Sequence, residues 1–68
     1  MEKNLKELLR LYKSKNFLDA EKKCQEILKK IKPNFEIYNI YAVILYELNK
    51  FDEAINNWKK AIEINSDY

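Results

Sequence analysis

Few side chains in this sequence can do covalent chemistry, and their spacing does not bring them together. Among 68 residues there is one cysteine, Cys24, and no histidine. Histidine is the commonest general base near neutral pH and the commonest metal ligand. Without it Cys24 has no base to activate it. Its place among Ala20, Ile27 and Leu28 on one helical face reads as a small buried hydrophobe. Ser14 and Ser66 fall at the ends of periodic segments, where capping accounts for a hydroxyl. Gly 0 excludes a glycine-rich phosphate loop. No nucleophile–base pair and no metal set can be assembled. The expectation is a chain that is not an enzyme, with no catalytic residue, metal or cofactor. What remains in quantity is lysine, carboxylate, aliphatic and aromatic side chain, which is the chemistry of recognition.

The charges are unevenly placed. Residues 1–34 carry ten Lys and Arg against five acids, whereas residues 35–68 carry three against six, within a net charge of +2. Such a split bears on association. The basic pairs Lys22-Lys23 and Lys29-Lys30, with five tyrosines, raise nucleic acid as a partner. Most of the tyrosines lie in an apolar helix that claims them for packing, and the acidic half repels phosphate, so no nucleic-acid role is expected. The longest apolar run, Ile40 to Tyr46, is far short of the roughly 20 residues that span a bilayer. The start, Met1-Glu2-Lys3-Asn4, lacks the apolar stretch of a secretory signal. One cysteine makes no internal disulfide. A cytoplasmic chain without membrane partners is expected.

The elements that must position these residues are helices. Gly 0 and Pro 1 argue against sandwiches and barrels that turn on glycine. Leu5, Leu8, Leu9 and Tyr12 share one face of a helix from Glu2 to Lys13, with Lys3, Lys6, Arg10 and Lys13 opposite. Ser14-Lys15-Asn16 breaks it, and Asn16 suits an N-cap. A second helix, Phe17 to Ile31, buries Phe17, Ala20, Cys24, Ile27, Leu28 and Ile31 before Pro33 stops it and Asn34 opens the next. The third, Phe35 to Leu48, is apolar nearly all round, which predicts burial on more than one side. Asn49 follows, a residue that tolerates a left-handed C-cap. The fourth, Phe51 to Ile64, keeps Phe51, Ala54, Ile55, Trp58, Ala61 and Ile62 in one stripe, and Asn65-Ser66-Asp67 ends it.

Phe17 and Ala20 recur at Phe51 and Ala54, and Leu11-Tyr12 at Leu45-Tyr46, halfway along the chain. A period of about 34 residues built from helix pairs is a repeat signature. Residues 35–68 resemble the tetratricopeptide repeat family. Tyr38, Tyr41, Ala42, Leu45, Phe51, Ala54, Trp58 and Ala61 match its pattern, and Asn49 to Ile55 is a typical run; Ser66 departs from its usual proline. Residues 1–34 match more loosely. Phe17, Ala20 and Ile27 are kept, but helix one fits only when shifted by a residue, which implies a shortened turn at 14–16. The resemblance implies an all-α domain of two stacked antiparallel helix-turn-helix hairpins, a degenerate repeat (1–34) and a strong one (35–68), with the third helix between the second and fourth.

It also implies function: a protein–protein interaction module holding a peptide in a concave groove lined by the first helix of each repeat. The groove candidates are Lys3, Lys6, Arg10 and Lys13 in the shifted first repeat, and Glu36, Asn39, Val43, Tyr46 and Glu47 in the second. The basic stripe suits an acidic segment or a terminal carboxylate; alternatively, it is the charged face that a first helix without a preceding neighbour shows to water. The family's carboxylate clamp for chaperone tails is not expected, because only Lys6 offers a partial match. Two repeats are few, and Ile55, Trp58 and Ile62 are expected to stay partly exposed. The alternative function is therefore a self-assembling building block: a dimer through the fourth helices, a head-to-tail array, or part of a longer array.

Overall fold

The computed structural model describes residues 2–30, 32 and 34–65. They form four helices, α1 (Glu2–Lys13), α2 (Phe17–Lys30), α3 (Phe35–Glu47) and α4 (Phe51–Ile64), with no strand among the described residues. The fold is all-α, as expected. The expected burial of Ile31, the stop at Pro33 and the ending at Ser66 and Asp67 lie outside the described residues.

Local chemistry explains the boundaries. The Asn34 side-chain oxygen accepts from Glu36 N–H at 2.8 Å and Ile37 N–H at 3.2 Å, satisfying two orphan donors of α3. At the end of α1 the Ser14 hydroxyl lies 2.9 Å from the Arg10 carbonyl and 3.1 Å from that of Leu11. Asn16 opens α2 differently from expectation. Its backbone carbonyl accepts from Ala20 N–H at 2.9 Å, while its side-chain amide donates to Ser14 Oγ at 3.1 Å. The third helix ends one residue early, with Leu48 as its cap.

The two hairpin turns are copies of each other. Lys15 (φ 64°) and Asn49 (φ 65°) both take the left-handed conformation. Lys15 N–H bonds the Tyr12 carbonyl and Asn16 N–H that of Leu11; Asn49 N–H bonds Tyr46 and Lys50 N–H bonds Leu45. This is the paired Schellman pattern, made twice at equivalent positions. Asparagine suits the conformation, whereas lysine adopts it at a cost of about 1–2 kcal/mol. The turn at 14–16 is thus not shortened, and the one-residue shift expected for helix one is corrected. Burial agrees. Leu8 and Leu11 are buried as their counterparts Ala42 and Leu45 are, while Leu5, Leu9 and Tyr12 are half-buried.

The third helix packs against both α2 and α4. Ile37 and Ile44 join Leu8, Leu11, Ala20, Cys24 and Ile27 in one core, and Ala42 and Leu45 meet Ala54 in another. This two-sided burial is what its all-round apolar sequence demands. The α3–α4 hairpin packs more extensively than α1–α2. Alanine stands at 42 and 61, where the first hairpin has Leu8 and Ile27, and small side chains let helix axes approach.

Candidate interaction surfaces

The reactive groups are locked in structure. Cys24 is fully buried, and burial, aided by the nearby Glu21 carboxylate, pushes its thiol up to about 12. At neutral pH it holds its proton and is inert. Glu21 is buried, which its sequence position on α2 does not announce. It accepts a hydrogen bond from Lys50 Nζ at 2.7 Å, and that bond holds the ammonium above the ordinary lysine range against a smaller opposing effect of desolvation. This bridge ties α2 to the turn before α4. Among the described residues no group of three His, Cys, Asp or Glu side chains gathers as a metal site.

On α1 three of the four predicted basic residues meet. Lys6, Arg10 and Lys13 line an open depression of about 550 Å³ together with Leu9 and Ser14. All three cations are exposed, and none forms an ion pair among the described residues. Lys3 is also exposed but lies outside that lining. Contrast Lys23, held by Glu7 at 3.3 Å and Glu26 at 3.8 Å.

The candidates on α3 have other company. Glu36 and Glu47 are exposed and Val43 is half-buried. Asn39 accepts a hydrogen bond from the Trp58 indole N–H at 3.0 Å, and the Tyr46 ring lies 5.2 Å from Phe51 and 6.1 Å from Trp58. Two predicted groove residues are therefore joined to a predicted self-association residue. Beside them, Phe35, Asn39, Trp58, Ala61, Ile62 and Asn65 line a cavity of about 180 Å³ between α3 and α4, room for one large apolar side chain. Ile62 is 65% exposed and Ile55 47%.

Equivalent turns give equivalent positions, and these identify residues the sequence reading missed. Leu9, Tyr12 and Lys13 stand on α1 where Val43, Tyr46 and Glu47 stand on α3. Tyr12 packs on Phe17 at 5.9 Å much as Tyr46 packs on Phe51. Leu9 and Tyr12 thus face the same side of the stack as the α3 candidates. The signal was present in the recurrence of Leu11-Tyr12 at Leu45-Tyr46, which needs no shift. Lys3, Lys6 and Arg10 correspond instead to Ile37, Ile40 and Ile44, the α3 stripe that packs on the first hairpin.

The family model for the TPR repeat matches residues 43–68, the latter part of α3 and all of α4. No curated protein and no solved structure shows a significant match to the chain. Repeats of this family generally mediate protein–protein interaction and are not themselves catalytic. No helix among the described residues is long and apolar enough to cross a membrane. Residues 43–68 are thus similar to the TPR repeat, and the first hairpin closes by the same turn as the second.

Proposed function

We propose that this chain is a protein-interaction module that holds an acidic partner segment across α1 and the adjoining face of α3. The observation that carries the reading is the depression on α1, where Lys6, Arg10 and Lys13 surround the half-buried Leu9 and form no ion pair among the described residues. Unpaired cations around an apolar floor suit a segment that alternates carboxylates with an apolar side chain. Lys3 extends the positive field along the helix. Lys13 and Leu9 border the side of the stack that continues onto α3 through Val43, Tyr46 and Glu47, with Asn39 and Glu36 beyond. The carboxylates Glu36 and Glu47 set a polarity, since a partner's acidic end is drawn to α1 and away from α3. A cytoplasmic setting, in which Cys24 stays a thiol, goes with this reading.

The test is fluorescence polarisation of a labelled acidic peptide with one central leucine, titrated with wild type and with the double variant Lys6→Glu/Arg10→Glu. Both positions are exposed, so the fold survives the change. The variant is expected to bind at least about 10-fold more weakly, with wild-type affinity falling as salt rises. Equal affinity of the two proteins overturns the reading.

A further inference from the structure

The depression on α1 gathers more cations than a carboxylate needs. Lys6, Arg10 and Lys13 stand at i, i+4 and i+7, so successive stems are about 5–6 Å apart on the helix surface. The rest of the lining, Leu9 and Ser14, carries no charge. Carboxylates that could have answered these cations are engaged elsewhere: Glu7 and Glu26 hold Lys23, and Glu21 holds Lys50. The Ser14 hydroxyl is engaged too, between the Arg10 and Leu11 carbonyls and the Asn16 amide.

A carboxylate brings two oxygens and one charge, which a single guanidinium fork satisfies. Two ammonium groups would then be left facing each other across an occupied site. A phosphate monoester brings three strong acceptor oxygens and about −1.5 to −2 charges at pH 7. We infer that the acidic segment proposed for α1 is a phosphorylated one, and that the depression takes its phosphoserine. Arg10 supplies the planar fork, Lys6 and Lys13 supply point charges on either side, and the neighbouring side chain rests on Leu9. The inference rests on the proposed interaction at α1 and adds its control, since a modification of the partner turns binding up.

Two other phosphate-bearing surfaces fit the depression less well. A protein held on an anionic bilayer sets apolar side chains into the membrane beside its cations. Helix α1 offers none, because Leu5, Leu8, Leu9 and Leu11 are buried or half-buried and the exposed large apolar residues belong to α2, α3 and α4. A nucleic-acid strand is held by cations spread along a groove and by rings that stack on its bases. Here three cations meet in one depression whose lining has no ring, and Lys3 lies outside it.

The probes are three labelled peptides on one acidic sequence with a central leucine, read by fluorescence polarisation against the whole chain. Beside the leucine stands a serine, a phosphoserine, or a Glu-Glu pair that matches the phosphate in charge. The phosphoserine peptide is expected to bind at least about 10-fold more tightly than the Glu-Glu peptide. Lys13→Gln, at an exposed position, should cut that preference at least about threefold. Lowering the pH from 7 to 5 should weaken the phosphoserine peptide at least about threefold, because its second proton returns near pH 6. The Glu-Glu peptide should stay level, and the chain has no histidine to titrate in that window.

Equal binding of the phosphoserine and Glu-Glu peptides, with both lost in Lys6→Glu/Arg10→Glu, overturns this inference and leaves the acidic-segment reading standing. Absence of binding by all three peptides overturns both. A preference that survives whole in Lys13→Gln, or a phosphoserine affinity that does not change with pH, also overturns the inference. So does tighter binding to vesicles of phosphatidylcholine and phosphatidylserine, or to a single-stranded oligouridylate, that the same double variant abolishes.

Discussion

The two ends of the stack occupy the same positions of the repeat with opposite chemistry. At the α1 end, Lys3, Lys6 and Arg10 stand where α3 carries Ile37, Ile40 and Ile44. At the α4 end, Trp58, Ala61 and Ile62 keep apolar character although no described helix covers them as α3 covers Cys24, Ile27 and Leu28. Charge on the outer face of a repeat helix opposes further stacking. The α1 face carries such charge and the α4 face does not. The difference teaches that a repeat position does not dictate a residue type by itself. Whether a neighbour covers the position decides which substitutions the fold accepts.

The largest effect expected from this contrast is at its centre. Ile44→Lys puts a charge into a fully buried position and should cost upwards of about 4 kcal/mol, enough to unfold a domain this small. The matching change at the open end, Arg10→Ile, should leave stability within about 0.5 kcal/mol. Urea titrations followed by circular dichroism read both; comparable losses would mean that the α1 face is not free.

Alkali probes the covered counterpart of Trp58. The Cys24 thiol is pushed up from its ordinary value of 9.0 to about 12 in the folded chain. The stability this represents is fully present below pH 9. It is lost as pH rises from there toward 12, because only the unfolded chain releases the proton. The loss between pH 9 and 11 should be on the order of 2 kcal/mol. Tyrosines and lysines also titrate there, so the measure is the difference in pH slope between wild type and Cys24→Val. Identical slopes would show that the thiol contributes nothing.

Next come the two turns. Lys15→Gly should stabilise the chain by roughly 0.5–1 kcal/mol, since glycine removes the left-handed penalty but adds freedom to the unfolded chain. Asn49→Gly should change little. Thermal melts that rank the two the other way would contradict the equivalence of the turns. The smallest effect is at the outer face of α4, where Ile62→Lys should alter stability by less than about 0.5 kcal/mol. Its half-buried counterpart Leu28→Lys should cost visibly more, and equal effects would mean that α4 is already covered in solution.

Much of this architecture was legible from local chemistry. The limits of α1 and α4, the cap at Asn34 and the left-handed Asn49 follow from residues whose preferences act within one turn of chain. The two-sided burial of α3 was legible because an apolar helix with no polar face has no other way to leave water. The register of α1 misled for an equally physical reason. Leu5, Leu8, Leu9, Leu11 and Tyr12 make a wide apolar stripe, and neighbouring positions on such a stripe differ little in periodicity. The Ser14-Lys15-Asn16 turn, lacking glycine or asparagine at its left-handed position, hid its likeness to Leu48-Asn49-Lys50. Three of the four candidates on α1, Lys3, Lys6 and Arg10, therefore fall on its outer face, while Leu9 and Tyr12 lie with Lys13 on the side shared with α3.

The sequence alone determined the helices, their pairing into hairpins and the repeat, because periodicity, capping and small-residue spacing are read along the chain. Only the tertiary structure decided the register of α1, the burial of Glu21 under Lys50, and the joining of Asn39 and Tyr46 to Trp58. Each of these depends on what lies across from a side chain rather than beside it in sequence. Burial and partnership are properties of the far side of a contact, and the near residue alone does not carry them.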